Sequence, residues 1–220
     1  MPEKEMAFLE RVKAIEQDMF GTKLDTASSK RMKDDGGYSW LYRPSHHIKT
    51  GLMKEEDINM LQKGTLLSIG SAHATLEKVL LKLGAPMRHI TISDVQPIPS
   101  ECTGGMQTYE FDCTETWPMQ NEYDVIIFPE SLCIALRDRM RGEGYEQNNR
   151  SLWDRRESEL LCHVLSEALQ HLRCGGELRC NGPMSHPTVV QMAEEKLKEI
   201  QKRKYALTYE RYFLRVRRES

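Results

Sequence analysis

After Gly64 the sequence alternates between short apolar stretches and longer amphipathic ones, and this alternation constrains the fold more than any other feature. Stretches typical of buried strands occur at residues 65–70, 88–94, 106–112, 123–129 and 177–181. Apolar residues at helical spacing predict helices at residues 75–83, 157–173 and 187–202. Strands that alternate with helices form right-handed crossovers, so we expect a mostly parallel sheet with helices on both faces.

The C-terminal stretch KYALTYERYFLRVRR departs from this alternation, because two β-rich segments directly flank Glu210 and Arg211. Such a pattern is typical of a tight antiparallel hairpin. The combined prediction is an α/β three-layer sandwich with a mostly parallel seven-stranded sheet whose last strand is antiparallel. We assign this domain to residues 61–220.

Residues 1–60 are predicted to form an N-terminal helical extension that is also a possible lid. Glu3–Phe20 carries one apolar stripe at helical spacing, residues 21–37 are polar, and residues 54–61 fit a short helix.

Two further segments carry expectations about local structure. Residues 137–157 are strongly charged, and we expect a solvated loop there, on the ligand side of the sheet. Gly175 and Gly176 follow the last periodic residue of a helix, and we expect them to end that helix.

Composition excludes several classes of protein. The 220 residues are enough for one large domain, and the net charge of −2 gives no general attraction to nucleic acid or anionic membranes. The longest apolar runs are about five residues, whereas a membrane span needs roughly 20. The N-terminal sequence MPEKEMAFLERVK lacks the apolar core of a signal peptide, so we expect a cytoplasmic protein without a membrane partner. The oligomeric state stays open.

The six cysteines do not indicate a metal centre or a redox motif, because no two of them have CxxC spacing. Free buried thiols are the expectation for a chain without a secretory signal. The adjacent His46 and His47 lack a third ligand at a diagnostic spacing, so we expect no bound metal.

Small or acidic residues follow each of the first four predicted strands. Gly70, Ser71 and Ala72 follow the first, Asp94 and Asp112 end the second and third, and Glu130 follows the fourth. Ligands of open α/β sheets bind beyond the carboxyl ends of the strands. A turn of small residues brings backbone groups close to a ligand, and a carboxylate one strand away accepts hydrogen bonds from two ribose hydroxyls. The pattern predicts a site for a ribose-bearing cofactor.

Five segments in this order resemble the motifs of class I S-adenosylmethionine-dependent methyltransferases, over roughly residues 60–218. LQKGTLLSIGSAHATLEKVLL resembles the first motif, and ITISDVQP resembles the second strand with its ribose-binding acid. FDCTETWP resembles the turn that contacts adenine, YDVIIFPESL the fourth motif, and LSEALQHLRCGGELRC the approach to the fifth strand. The terminal hairpin resembles the antiparallel last strand that distinguishes this family from dehydrogenases.

The resemblance implies a role for each matching residue and S-adenosylmethionine as the cofactor. The methionine half would face the backbone of Gly70, Ser71 and Ala72. The ribose would bind to Asp94, and the adenine amino group to Asp112 with Cys113 beside the ring. The mouth through which the methyl group is transferred would be lined by Phe128 and Pro129.

The first motif departs from the family pattern of acid-x-Gly-x-Gly-x-Gly. The same frame here holds Ser68, Gly70, Ala72 and Ala74. Because alanine disfavours positive φ, these substitutions are tolerated if the turn stays at negative φ. They also leave open a second function, in which a non-catalytic protein keeps the fold as a binding or partner module. A dehydrogenase is a third possibility: Asp94 is compatible with NAD, but GxGxxG is matched by one glycine only, and the hairpin argues against it.

The segment YSWLYRPSHH, which ends at His47, has two interpretations. It is either a substrate lid that supplies stacking aromatics and histidine bases, or an anchor that holds the extension on the core. Glu130 either orients an amine or hydroxyl nucleophile or is a surface acid. For methyl transfer to such a nucleophile, the candidate bases are His46, His47 and Glu130.

The C-terminal region from Lys196 to Arg218 is locally basic and is a candidate for contact with RNA phosphates. It lacks interleaved aromatics on a defined platform, and the whole chain is slightly acidic. A small-molecule substrate is therefore the preferred partner, and nucleic acid is the less favoured one.

Overall fold

One sheet of seven strands organises the chain. The computed structural model describes residues 3–21, 43–71, 73–146, 148–181, 186–202, 204–210 and 213–219. The strands are β1 Leu66–Ile69, β2 Ile90–Asp94, β3 Gln107–Glu110, β4 Tyr123–Pro129, β5 Leu172–Asn181, β6 Tyr205–Glu210 and β7 Phe213–Arg218. Their order in the sheet is β3-β2-β1-β4-β5-β7-β6. The first five strands are parallel, and β7 is antiparallel to both β5 and β6, which confirms the predicted sheet.

Helices cover both faces of this sheet. They are α1 Glu3–Phe20, α2 Pro44–Lys49, α3 Glu55–Met60, α4 Thr75–Lys82, α5 Ser100–Thr103, α6 Leu132–Gly142, α7 Arg150–His171 and α8 Pro187–Ile200, with a 3-10 turn at Met87–His89. Within the described ranges, no helix combines the length and the apolar character needed to cross a membrane.

Two hydrophobic clusters lie on opposite faces of the sheet. The α6–α8 face includes Trp117, Leu136, Leu161 and Val190, and the other face includes Val12, Leu52, Leu80 and Ile92. Successive side chains of β4 alternate between them, because Phe128 faces the first cluster and Ile127 the second. All four residues of β1 are buried, as expected for a central parallel strand that is covered on both faces.

The N-terminal segment packs into the second of these clusters. Leu52 and Met53 are fully buried there, together with Val12 from α1. A buried salt bridge also ties the segment to β5, since Arg179 Nη1 lies 2.6 Å and Arg179 Nη2 3.1 Å from the two carboxylate oxygens of Asp57. The division of the chain at residue 60 stays a prediction, and the aromatic residues 38–42 lie outside the described residues.

The expectation of a solvated loop at residues 137–157 is wrong. Helix α6 continues to Gly142, and α7 begins at Arg150 after an Asn149 side-chain cap. The charges pair along the helices, as between Arg139 and Glu143 four residues later, at 2.8 Å. Trp153 is buried and fixes the first turns of α7 on the core.

The expectation that Gly175 and Gly176 end a helix is also wrong. The helix ends at His171, and both glycines lie within β5. A Cβ atom on Gly176 would come within 2.9 Å of Asp124 O and 3.1 Å of Tyr123 O. The glycine is needed here because two strand backbones approach closely beside a shift of register in the β4–β5 pairing.

We predict that Arg179→Met lowers the free energy of unfolding by about 3–5 kcal/mol, because the substitution leaves the carboxylate of Asp57 buried without its partner. Urea denaturation followed by circular dichroism measures this change. The control is Arg173→Met in the same strand, whose salt bridge with Asp124 is partly exposed and is expected to contribute less than about 1 kcal/mol. Equal losses in the two variants would contradict the prediction.

Candidate cofactor and acceptor site

A cavity of about 760 Å³ lies at the carboxyl ends of β1, β2 and β3, with α6 as its far wall. It opens where the strand order reverses between β1 and β4, the usual ligand position in an open α/β sheet. Its lining includes Gly70 from the end of β1, Asp94 and Val95 after β2, Asp112 and Cys113 after β3, and Ser131, Ile134, Ala135 and Arg139 from the α6 region.

Four of the predicted cofactor residues line this cavity: Gly70, Asp94, Asp112 and Cys113. The other described ones lie behind it. Ser71 is buried and its hydroxyl donates to Ser68 O at 3.0 Å. Phe128 is fully buried, with its ring 6.4 Å from that of Trp117, and Pro129 is half-buried. The predicted contact at Ala72 lies outside the described residues.

The turn after β1 is held by contacts within the protein. Gly70 has φ +77°, and a Cβ atom there would overlap the side chain of Ser131. The Ser131 hydroxyl donates to Ile69 O at 2.6 Å. The backbone N–H groups of Gly70 and Ser71 both donate to Ser93 O, at 2.8 and 3.0 Å. These two amides are therefore satisfied inside the protein, and the turn does not present them to a ligand.

The condition of a negative φ is not met at Ala74. This residue has φ +52°, although it is fully buried and is not glycine. A left-handed conformation costs an L-residue about 1–2 kcal/mol, so the turn keeps its shape at a cost that glycine would avoid.

A carboxyl group lies beside Ser68, where the family pattern has an acid and this sequence has none. It belongs to Glu77 of α4, which is buried and neighbours the side chains of Ser68 and Ser71. Burial raises the pKa of Glu77. A carboxyl group from the following helix thus lies beside Ser68 but outside the cavity lining, and the motif comparison missed it.

The two acids beyond β2 and β3 are held by their own loops. Asp94 Oδ1 accepts from the Gln96 N–H at 3.3 Å. Asp112 Oδ1 accepts from the N–H and the hydroxyl of Thr114 at 2.8 and 2.7 Å. Val95 follows Asp94 directly and also lines the cavity, and its side chain is 62% exposed. The sequence analysis missed Val95 as a lining residue.

A network of charges forms the α6 rim of the cavity. Arg139 lies 2.5 Å from Glu115 and 2.8 Å from Glu143, and Glu143 also pairs with Arg156 at 2.7 Å. Hydrogen bonds from Arg156 and Arg139 lower the pKa of Glu143 to about 2. The rim is therefore fixed by paired charges. Among the described residues, no group of three or more metal-ligating side chains is present.

The three predicted base candidates come together beside the end of β4. His46 Nε2 donates to Glu130 Oε1 at 2.6 Å, across 84 residues of sequence. Glu130 is buried and has φ +58°, although it is not glycine. Strained backbone of this kind persists only where surrounding contacts hold it in place, and it is concentrated at functional sites.

His47 has a different environment from its neighbour. It is 3% exposed, and its Nδ1 accepts from Asn181 Nδ2 at 3.1 Å. Burial, with the nearby His46, lowers the pKa of His47 to about 3. His47 is therefore neutral at pH 7. The sequence analysis missed Asn181, which also accepts from the Glu130 N–H at 3.1 Å.

The strand order, with an antiparallel β7 inserted between β5 and β6, is that of the class I methyltransferase fold. No family model matches the chain, and no curated protein matches its sequence.

Three similar solved structures are each described as a methyltransferase. CalS10 from Micromonospora echinaspora, an amino pentose methyltransferase with bound SAM, is 9% identical, with 81% of this chain and 98% of that chain covered and a TM-score of 0.49. Magnesium protoporphyrin IX methyltransferase from Synechocystis PCC 6803 is 13% identical, with 95% and 97% covered and a TM-score of 0.46. N-methyltransferase NodS from Bradyrhizobium japonicum WM9 is 16% identical, with 75% and 94% covered and a TM-score of 0.44.

We predict that Gly70→Ala destabilises the protein by at least about 2 kcal/mol, because strain at positive φ adds to an overlap with Ser131. Thermal or urea unfolding measures the loss. The control is Gly144→Ala, where φ is +83° and nothing lies within 4 Å of the added methyl group. The control should show backbone strain alone, so an equal loss at both positions would contradict the proposed overlap.

We predict that stability falls with acidification more steeply in the native protein than in His47→Gln. The pKa of His47 is lower in the folded than in the unfolded chain, so protonation favours unfolding as the pH falls from about 6.5 towards about 3. Between pH 7.5 and pH 4.5 the native protein should lose about 2–3 kcal/mol more than the variant. Urea denaturation at several pH values tests this, and parallel curves for the two proteins would contradict it.

Proposed function

We propose that the protein transfers a methyl group from S-adenosylmethionine to a small-molecule acceptor with an amine or hydroxyl nucleophile. The observation that carries this proposal is the open cavity at the carboxyl ends of β1–β3, with the carboxylates of Asp94 and Asp112 in its wall. The class I methyltransferase topology supports the same reaction. The volume of about 760 Å³ is within the range for sites of nucleotide-sized ligands.

The residues present fit an adenosyl cofactor. Asp94 would accept hydrogen bonds from the ribose hydroxyls, and Asp112 would accept from the adenine amino group. Val95 and Cys113 would supply an apolar surface for the ring. The methionine half would lie against the turn at Gly70, next to the predicted contact at Ser71, and the predicted contact at Ala72 is outside the described residues. When bound, the cofactor supplies an electrophilic methyl group.

The mouth of the site is formed around the end of β4. Pro129 lies at this end, and Phe128 supports it from within the core, since its side chain is fully buried. In-line displacement needs the nucleophile about 3–3.5 Å from the methyl carbon and collinear with the leaving group. The protein therefore contributes mainly by holding the acceptor in this alignment.

His46 is the base that this proposal favours among the three candidates. Its Nε2–H donates to Glu130, so Nδ1 is the ring nitrogen that carries the lone pair in this tautomer and would take a proton from a nucleophile that reaches it beyond the cavity lining. Glu130 then stabilises the imidazolium, as a carboxylate does behind a catalytic histidine. His47 is unsuited to the role because it is buried and its pKa is lowered to about 3.

The alternative of a non-catalytic module rested on the departures of the first motif from the family pattern. The described residues give this alternative no specific support. Neither Ser68 nor Ala74 fills the cavity, since both lie outside its lining. The departures change how the turn is held, while the space beyond it stays open.

The basic C-terminal region favours a small molecule over nucleic acid as the partner. Several of its cations pair with acids of the same protein: Lys196 with Glu159, Lys198 with Glu194, Arg215 with Glu177 and Arg218 with Glu122. Cations that are compensated in this way contribute less to the release of counterions that drives phosphate binding.

We predict that S-adenosylmethionine and its demethylated product bind to the protein, and that Asp94→Ala weakens binding by about 1–3 kcal/mol, or about 5- to 150-fold, because ribose hydroxyls lose their acceptor. Isothermal titration calorimetry measures both affinities. The control is Glu110→Ala. Glu110 is the neighbour of Asp94 in the register of β2 and β3, but it lies outside the cavity lining. No heat with the native protein at millimolar ligand would refute the function, and unchanged affinity in Asp94→Ala would remove Asp94 from the site.

A further inference from the structure

The asparagine at the end of β5 joins two elements that carry the base candidates. Asn181 is 1% exposed and has hydrogen bonds at both ends of its amide. Its Oδ1 accepts from the Glu130 N–H at 3.1 Å, at the end of β4. Its Nδ2 donates to Thr50 Oγ1 at 2.8 Å and to His47 Nδ1 at 3.1 Å, both from the α2 region.

The partners leave a single consistent orientation for this amide. The N–H of Glu130 needs an acceptor, so Oδ1 faces β4 and Nδ2 faces α2. The Thr50 hydroxyl lies 3.1 Å from both His46 O and His47 O, to which it donates, so it accepts from Asn181. His47 must then accept at Nδ1 and carry its proton at Nε2. The amide thus fixes the tautomer of His47 and the position of α2.

The same side chain restrains the strained residue of the site. Glu130 has φ +58°, and its N–H is shared between Asn181 Oδ1 at 3.1 Å and Phe128 O at 2.8 Å. Pro129 and Asn181 are paired in the β4–β5 register, which places the amide directly beside the strained peptide. A conformation of this cost needs such restraint, and a buried side-chain hydrogen bond provides it.

We propose that Asn181 is a positioning residue, which docks α2 against β4 and thereby brings His46 within hydrogen-bond distance of Glu130. His46 and Glu130 lie 84 residues apart in the sequence, so only tertiary contacts can bring them together. His47 and Thr50 attach the helix that carries His46, and the Glu130 N–H attaches its partner. The role in catalysis rests on the proposed function, but the positioning itself does not.

Two substitutions test this role in the full chain. Asn181→Ala removes all three hydrogen bonds. Asn181→Asp keeps an acceptor for the Glu130 N–H but replaces the donor that faces His47 by a carboxylate. The control is Asn59→Ala, an exposed asparagine on the neighbouring helix α3.

The first measurement is the imidazole N–H proton spectrum of the protein. A short hydrogen bond from His46 Nε2 to the buried carboxyl of Glu130 should give a downfield resonance that is assigned by its loss in His46→Gln. We expect this resonance in the native protein and in Asn59→Ala, and we expect its loss in Asn181→Ala. An unchanged His46 resonance in Asn181→Ala would overturn the proposal.

The second measurement is the pKa of His47, obtained by pH titration. If residue 181 had only a general structural role, its substitution would not shift this pKa in a defined direction. A carboxylate at this position should raise the pKa of His47 by about 1–3 units, against the opposing effects of burial and of His46. Glu130 is the same residue in every variant compared. No upward shift in Asn181→Asp would overturn the assigned contact.

Binding of S-adenosylmethionine separates this proposal from the proposed function. Asn181 does not line the cavity, so both variants should bind the cofactor within about twofold of the native protein. If the native protein does not bind it, the methyltransferase proposal fails while the spectra still decide the positioning role. Global unfolding of both variants would overturn the proposal, because it would make Asn181 a residue of general stability.

Discussion

The alternation of side chains along β5 is the constraint on which the site depends. Leu178 and Cys180 face the core beneath α7 and α8, whereas Arg179 and Asn181 face the N-terminal segment. A strand buried on both faces is ordinarily apolar throughout. Here two polar side chains are buried instead, and each finds its partners in residues 47–57. The sheet thus attaches the segment that carries His46 by means of specific polar contacts in addition to apolar packing.

Strain is concentrated at the two ends of the candidate site. Ala74 closes the turn after β1 and Glu130 follows β4, and these are the two described non-glycine residues with positive φ. Both residues are buried, so the cost of these two conformations is carried by the surrounding core. Such a distribution is typical of proteins that hold a functional geometry in place before a ligand arrives.

The sequence predicted the elements whose signals are local and failed where distant contacts decide. The apolar runs of β1 and β4 identify strands because a strand that is buried on both faces is apolar along its whole length. The helix at Leu132–Gly142 and the first two turns of the helix that begins at Arg150 were missed, because charged residues that pair along a helix resemble a solvated loop in composition. A glycine after a helical stretch is expected both where a helix ends and where two strands approach closely, so the sequence could not distinguish these two roles for Gly176.

The candidate site was predictable in part for the same reason. Asp94 and Asp112 were identified because an acid at the tip of a strand is a local pattern. The contact between His46 and Glu130 and the role of Asn181 were not, since the hydrogen bond between Asn181 and Thr50 joins residues 131 positions apart. Phe128 matched a family motif, yet its side chain belongs to the core. The motif gives the position of a residue along the chain, whereas the packing decides which way its side chain points.

The two described departures of the first motif are accommodated by different means. At Ser68 the strand lacks the acid, and a buried carboxyl from Glu77 of the following helix lies beside this position without lining the cavity. At Ala74 the missing glycine is not replaced, and the backbone keeps the left-handed conformation at a cost. A substitution in a motif therefore has to be judged against its neighbours in space, because a group that is lost at one position can be supplied from another element.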